Sequence, residues 1–153
     1  MKFICDQMLA GLGKWLRIAG YDTQIAEESM EDKEILSCAL RENRLLLTRD
    51  RHFLEMQAPS KTVIFLKSNS IIEWIRELNH VLKINWLHAP FSRCLICNSE
   101  LVEPSKEDVL KQVPADTRAS SEQFWFCPQC QKVYWEGSHT QKMQKQLQDW
   151  QTI

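Results

Sequence analysis

Residues 44–53 read RLLLTRDRHF, and the change of character inside this stretch decides the fold. Leu45, Leu46 and Leu47 form a short apolar run with no polar alternation, the mark of a strand buried on both faces of a parallel sheet. Thr48 closes the run, and Asp50 follows at once between Arg49 and Arg51. A carboxylate placed where a buried strand ends lies where parallel sheets bind their ligands.

The same pattern recurs on either side. KFIC (2–5) is a second apolar strand and ends at Asp6. Leu9, Leu12, Leu16 and Ala19 then recur at helical spacing up to Gly20, a natural helix stop. TQIA (23–26) reads as a weaker strand. SMEDKEILSCALREN (29–43) reads as a helix, with Ile35, Leu36, Ala39 and Leu40 on one face and Ser29 and Asp32 spaced as a helix start. TVIFL (62–66) is a strand, and SIIEWIRELNHVLKI (70–84) a helix striped by Ile71, Ile72, Ile75, Leu78 and Leu82. Strands alternating with helices in this order predict an α/β domain: a parallel sheet flanked by helices on both faces.

The chain has 153 residues, 44% of them hydrophobic, enough for one domain with a real core and a small appendage. Its net charge of -1 is spread evenly, with 12 basic and 12 acidic residues in 1–90 and 7 and 8 in 91–153. Nucleic-acid binding must therefore rest on a local patch rather than on overall charge. No apolar run approaches the ~20 residues of a membrane helix. MKFICDQML at the N-terminus has no leader-like apolar region, so a cytoplasmic location is expected.

Six cysteines divide into two groups. Cys5 and Cys38 stand alone among apolar residues and read as buried thiols. Cys94-Leu-Ile-Cys97 and Cys127-Pro-Gln-Cys130 are two knuckles, the arrangement that closes a tetrahedral Zn²⁺ shell with four thiolates. With no open position the zinc is expected to be structural. HAPFSRC (88–94) marks the boundary between a domain of residues 1–90 and a zinc ribbon of residues 91–153, whose last residues form a helix with Met143, Leu147 and Trp150 on one face.

Asp6 follows strand one and Asp50 strand three, while Asp32 opens the helix leading into strand three. In a parallel sheet all three emerge at one edge. Clustered carboxylates repel unless a cation joins them, and Mg²⁺ or Mn²⁺ is the hard, oxygen-seeking choice. Such an ion activates water for in-line phosphoryl displacement. Lys14, Arg17, Arg49 and Arg51 are the candidate phosphate contacts. Taken singly, each acid also fits a plainer role: a turn residue, a helix-start acid or a surface ion pair. A phosphatase is disfavoured because Asp6-Gln7-Met8 lacks the second aspartate of an Asp-x-Asp motif.

DKEILSCALRENRLLLTRDRHF (32–53), FICDQMLAGLGKWLRIAGYDT (3–23), RCLICN (93–98) and YWEGSH (134–139) together resemble the PIN-type RNase domain found at the C-terminus of mut-seven exonucleases, which carries its own zinc ribbon. The resemblance spans nearly the whole chain and is weakest in 103–123. It implies a PIN-like sheet and a metal-dependent ribonuclease in which Asp6, Asp32 and Asp50 match the acidic positions. Glu27 and Glu28 fall in the interval where larger PIN domains carry a further acid, but in no matching motif.

The expected function is hydrolysis of single-stranded RNA, with Asp6, Asp32 and Asp50 around Mg²⁺ or Mn²⁺ and Cys94, Cys97, Cys127 and Cys130 around zinc. The alternative is a zinc-ribbon adaptor that binds RNA or a protein partner and keeps only a vestigial nuclease site. Trp125, Phe126, Tyr134 and Trp135 beside the second knuckle are its candidate base-stacking residues, although they also suit a small core around the zinc.

Overall fold

The computed structural model describes residues 1–59 and 61–153. Strands β1 (Lys2–Cys5), β2 (Asp22–Ile25), β3 (Leu45–Thr48) and β4 (Val63–Phe65) form one sheet in the order β2-β1-β3-β4. Every pairing is parallel, with Phe3 opposite both Thr23 and Leu45, and Leu47 opposite Ile64. Successive side chains on a strand point to opposite faces, and both faces are covered. Phe3, Cys5 and Leu47 pack under helices α1 (Ala10–Ile18) and α4 (Ile71–Leu82). Ile4 and Leu46 pack under α2 (Asp32–Arg41) and Phe53 of the short α3 (His52–Glu55). The strands need apolar residues at consecutive positions for this reason.

Local chemistry sets the helix ends. α1 is entered through a 3₁₀ turn, Gln7–Leu9, capped by the Asp6 side chain. The start of α2 differs from expectation: the N-cap is Glu31, whose backbone N–H donates to Glu34 Oε2, and Ser29 takes no part in the cap. Asp32 becomes the first helical residue. Past α1, Gly20 has φ +96°, and a Cβ there would collide with the Ala89 carbonyl. That close approach lets the 88–93 connection hydrogen-bond back to the helix end through Ala89 N–H to Ala19 O (3.0 Å) and Phe91 N–H to Ile18 O (2.9 Å).

The second half holds α5 (Lys106–Gln112), α6 (Ala115–Ser120), an antiparallel hairpin of β5 (Phe124–Cys127) and β6 (Lys132–Trp135), and α7 (Ser138–Gln151). α7 returns to the main core, burying Leu147 and Trp150 there. Trp150 meets Trp15 and Trp86 edge-to-face, with centroids 4.6 and 5.3 Å apart. Among the described residues no helix is long and apolar enough to cross a membrane.

Candidate functional site

β1 lies inside the sheet with β2 on one side and β3 on the other, so the chain leaves it in opposite directions on successive crossovers. In open α/β sheets the crevice at the carboxyl ends of such strands is the ligand site. Asp6 directly follows β1, and Thr48 ends β3 with Arg49 and Asp50 just beyond it.

Asp6 is only 6% exposed. Its Oδ1 accepts the Leu9 N–H (3.0 Å), and its Oδ2 accepts the Arg49 N–H (3.0 Å) and the Thr48 hydroxyl. The Thr48 oxygen in turn accepts the Asp50 N–H (2.9 Å). Asp50 is exposed and its Oδ1 accepts the His52 N–H (2.9 Å). His52 Nε2 lies 4.0 Å from Asp32 Oδ2. The three acids thus occupy one edge, joined through Thr48 and His52. They are not gathered at one point: among the described residues, the one set of at least three metal-ligating side chains within 4.8 Å of each other is elsewhere. The donors at this edge are all oxygen except His52, a set suited to a hard cation.

Beside Asp50 lies a cavity of about 290 Å³ lined by Arg49, Arg51, Phe65, Leu66 and Lys67. Three cations and no carboxylate border it. Arg49 is held over the Trp74 ring at 5.8 Å and donates to the Asn69 side chain, while its Nε is buried without an acceptor among the described residues. Glu77 fixes the adjoining loop by accepting the N–H groups of Lys67 (2.9 Å) and Ser68 (3.0 Å). Burial opposes ionisation of Glu77, but the Ser68 hydroxyl and these N–H groups hold its carboxyl below the ordinary value.

Two of the expected phosphate contacts on α1 part company. Lys14 is exposed, whereas Arg17 is 6% exposed. Arg17 Nε donates to Thr23 O (2.8 Å) and Nη1 to Leu95 O (2.8 Å) and Ile96 O (3.0 Å). Its Nε and Nη1 are committed to carbonyls of β2 and of the first cysteine knuckle, so this side chain ties the fold together and presents little of itself to a substrate. Asn98, at φ +69°, completes this joint by accepting the Thr23 N–H (3.0 Å) and donating to Asp22 Oδ1 (2.7 Å). The knuckle thereby covers the outer edge of β2, which would otherwise present unpaired backbone groups.

Cys94, Cys97, Cys127 and Cys130 have their sulfurs within 4.8 Å of one another and could hold a metal ion such as zinc. The Cys94–Cys130 and Cys97–Cys127 separations are 3.9 and 3.4 Å. Sulfurs at ~2.3 Å from a central Zn²⁺ lie about 3.8 Å apart, whereas a disulfide needs about 2 Å. Burial raises the Cys97 thiol, but its hydrogen bonding with the Ser99 side chain and backbone outweighs this and brings it down to about 6. The Cys97 sulfur, together with burial, pushes Cys130 up to about 12. Four thiolates at this spacing need a cation between them.

Thr48, Lys67, His52 and Asn98 were not singled out from sequence. Thr48 had a signal, the Thr-x-Asp spacing; Lys67 and Asn98 depend on which loops meet.

The family described as the Mut7-C RNAse domain has a model that matches residues 1–147 of this chain. The chain is also similar to a human protein, the Exonuclease mut-7 homolog, at 28% identity over 116 residues, covering 73% of this chain and 13% of the human protein. The match therefore spans a small part of that relative's length. No solved structure matches.

Proposed function

The chain belongs to the Mut7-C RNAse domain family, and from that premise we propose that it is a divalent-metal-dependent ribonuclease acting on single-stranded RNA. The observation that carries this reading is the β1/β3 switch point, where Asp6, Thr48 and Asp50 form one hydrogen-bonded chain beside a cavity bordered by Arg49, Arg51 and Lys67. In this reading the sheet is PIN-like, and residues 1–90 carry the chemistry while 91–153 form a zinc ribbon and terminal helix docked onto them. Free thiols throughout suit a reducing, cytoplasmic setting.

Each residue has a separable task. Asp50 is the exposed carboxylate available to ligate Mg²⁺ or Mn²⁺. Asp6 is the buried carboxylate that ties the ends of β1 and β3 together at the same edge. Asp32, paired with His52, ligates the ion or orients the attacking water. Arg49 and Arg51 bind the phosphate backbone with Lys67, and exposed Lys14 is a more distant backbone contact. A divalent ion, when bound, lowers the pKa of its water and offsets charge on the phosphate oxygens. Mg²⁺ commonly takes one or two carboxylates and completes its shell with water and phosphate, so a spread acidic edge suffices for it. The four cysteines leave zinc no open position, which makes it structural.

The second reading is a zinc-ribbon adaptor for RNA or a protein partner with a vestigial nuclease site, favoured by the dispersal of the three acids. One experiment separates the two. End-labelled single-stranded RNA is incubated with the zinc-loaded chain in Mg²⁺ or Mn²⁺. Cleavage by the wild type and a loss of at least about 100-fold in Asp50→Asn, with the melting temperature unchanged, is the expected result. Undiminished cleavage by that variant would sink the assignment, and binding without turnover would install the adaptor.

A further inference from the structure

A second cavity, about 400 Å³, opens between the hairpin, the start of α7 and the end of α1. Its walls include the rings of Phe91, Trp125, Tyr134 and Trp135. Phe91 and Trp125 stand 5.7 Å apart at 37°, both half-buried. The charged residues in the lining are Arg93 and Lys132, with His139 beside them and no carboxylate among them. Arg93 is engaged by the Asn98 carbonyl (2.9 Å) and by Glu100 (3.3 Å), while Lys132 is exposed, its ammonium 5.2 Å from the Tyr134 ring centroid. α7 begins at this cavity without an acid in its first turn. Its leading N–H groups have no intrahelical acceptors and so favour an anion. An adjoining cavity of about 360 Å³ shares Phe91, Trp125 and Thr140 and is lined by Gln141, Gln144 and Gln148, with one carboxylate, Glu136, and one ammonium, Lys145.

We propose that this paired cavity is a nucleotide-binding anchor for single-stranded RNA. A base lies against Trp125, its edge meets the α7 glutamines, and its phosphate is taken by Lys132 and the start of α7. Flat aromatic walls accept any base by its π-face, and amide side chains match base edges because they both donate and accept. The larger cavity is lined by Arg93 and Lys132 and by no carboxylate, whereas Glu136 lines the smaller one, so the phosphate belongs in the larger cavity and the neutral base edge in the smaller. The anchor rests on the ribonuclease reading for the identity of its ligand, and it lies well away from the acids. Ile18, at the far end of α1, lines it, and the 9 residues of that helix span about 13 Å. The bound nucleotide is therefore remote from the scissile bond, and the ribbon sets where along the strand the acidic edge falls.

The test uses the full zinc-loaded chain carrying Asp50→Asn, so that binding is measured without cleavage. Fluorescence anisotropy with a labelled ten-nucleotide RNA is compared for this background and for added Trp125→Leu or Lys132→Glu. Each is expected to weaken binding at least about tenfold with zinc content and circular dichroism unchanged. Should Trp125→Leu fail to fold, the exposed Lys132→Glu decides alone. Unaltered affinity in folded variants overturns the anchor, as does a background protein that binds no RNA. Failure of the anchor and failure of the nuclease reading are distinguishable. Variants that lose binding in a chain whose wild type never cuts keep the anchor and defeat the nuclease, and variants that bind normally in a chain that cuts do the reverse.

Discussion

The two ends of the sheet solve opposite problems. At its amino-terminal side the cysteine centre closes on itself: four sulfurs stand within 4.8 Å, and Arg17 and Asn98 fasten their knuckle to β2. At the carboxyl edge three acids are strung out, linked through Thr48 and His52. The first arrangement offers four sulfurs that could by themselves complete the shell of a metal ion such as zinc, with no need of a substrate. The second is open, as a site must be if water and phosphate are to complete it. In the proposed reading, stability and chemistry are thereby separated to opposite ends of one core.

The largest effect should come from breaking the closed end. If the four cysteines hold zinc as proposed, a chelator or Cys97→Ser removes the ion that offsets four clustered thiolates. The hairpin then loosens, and α7, which follows it directly, loses its hold on the Trp15–Trp150–Trp86 stack. Loss of even ~4 kcal/mol lowers the melting temperature by about 10 °C in a domain of this size. Thermal melts followed by tryptophan fluorescence, with and without chelator, measure it. A metal-stripped chain that melts like the loaded one would show that the ribbon contributes nothing to the core.

The closed end was also the more legible in sequence, because Cys-x-x-Cys fixes two ligands within one turn and needs no knowledge of distant contacts. The parallel sheet was legible for a similar reason: residues buried on both faces must be apolar in unbroken runs, as Leu45–Leu47 are. What escaped depends on partners far along the chain. Lys14 and Arg17 are three apart and were expected to share a substrate-facing surface, yet carbonyls of residues 95 and 96 cover only Arg17. The three-acid edge was readable as a topology. The dependence of Asp6 on Thr48 and Arg49 was not, since it requires the β1–β3 pairing to be in place.

That dependence makes Asp6 and Asp50 unequal, and their comparison gives the intermediate effect. Asp6→Asn substitutes an amide for an acceptor that receives three donors, so at least one donor is left facing an NH₂ group. An unsatisfied buried donor costs about 1–3 kcal/mol, or roughly 3–8 °C in melting temperature for a chain of this length. Both variants should lose cleavage, but only Asp6→Asn should also lose stability. Equal melting temperatures for the two would mean that Asp6 does not bridge the strands, and the carboxyl edge would then be held by packing alone.

The smallest effect concerns the loop that carries Lys67. Glu77 is the carboxylate that receives its N–H groups, and its folded pKa lies below the ordinary 4.5 despite the opposing effect of burial. A depressed carboxyl pKa means that the bound loop is fully stabilised above about pH 4.5 and loosens as pH falls through the lower folded value. Asp22, at the opposite end, is held down by Arg44 and Asn98 against its own burial and titrates in the same acid range. A global melt would mix the two. The Trp74 indole N–H, which donates to the Ser68 carbonyl at 2.8 Å, reports the loop alone. Its NMR resonance should shift between pH 6 and pH 3 in the wild type, and Glu77→Gln should flatten that shift while leaving the Asp22 end unchanged. A shift that survives Glu77→Gln would place the acid-sensitive group elsewhere and remove the link between this carboxylate and the position of Lys67.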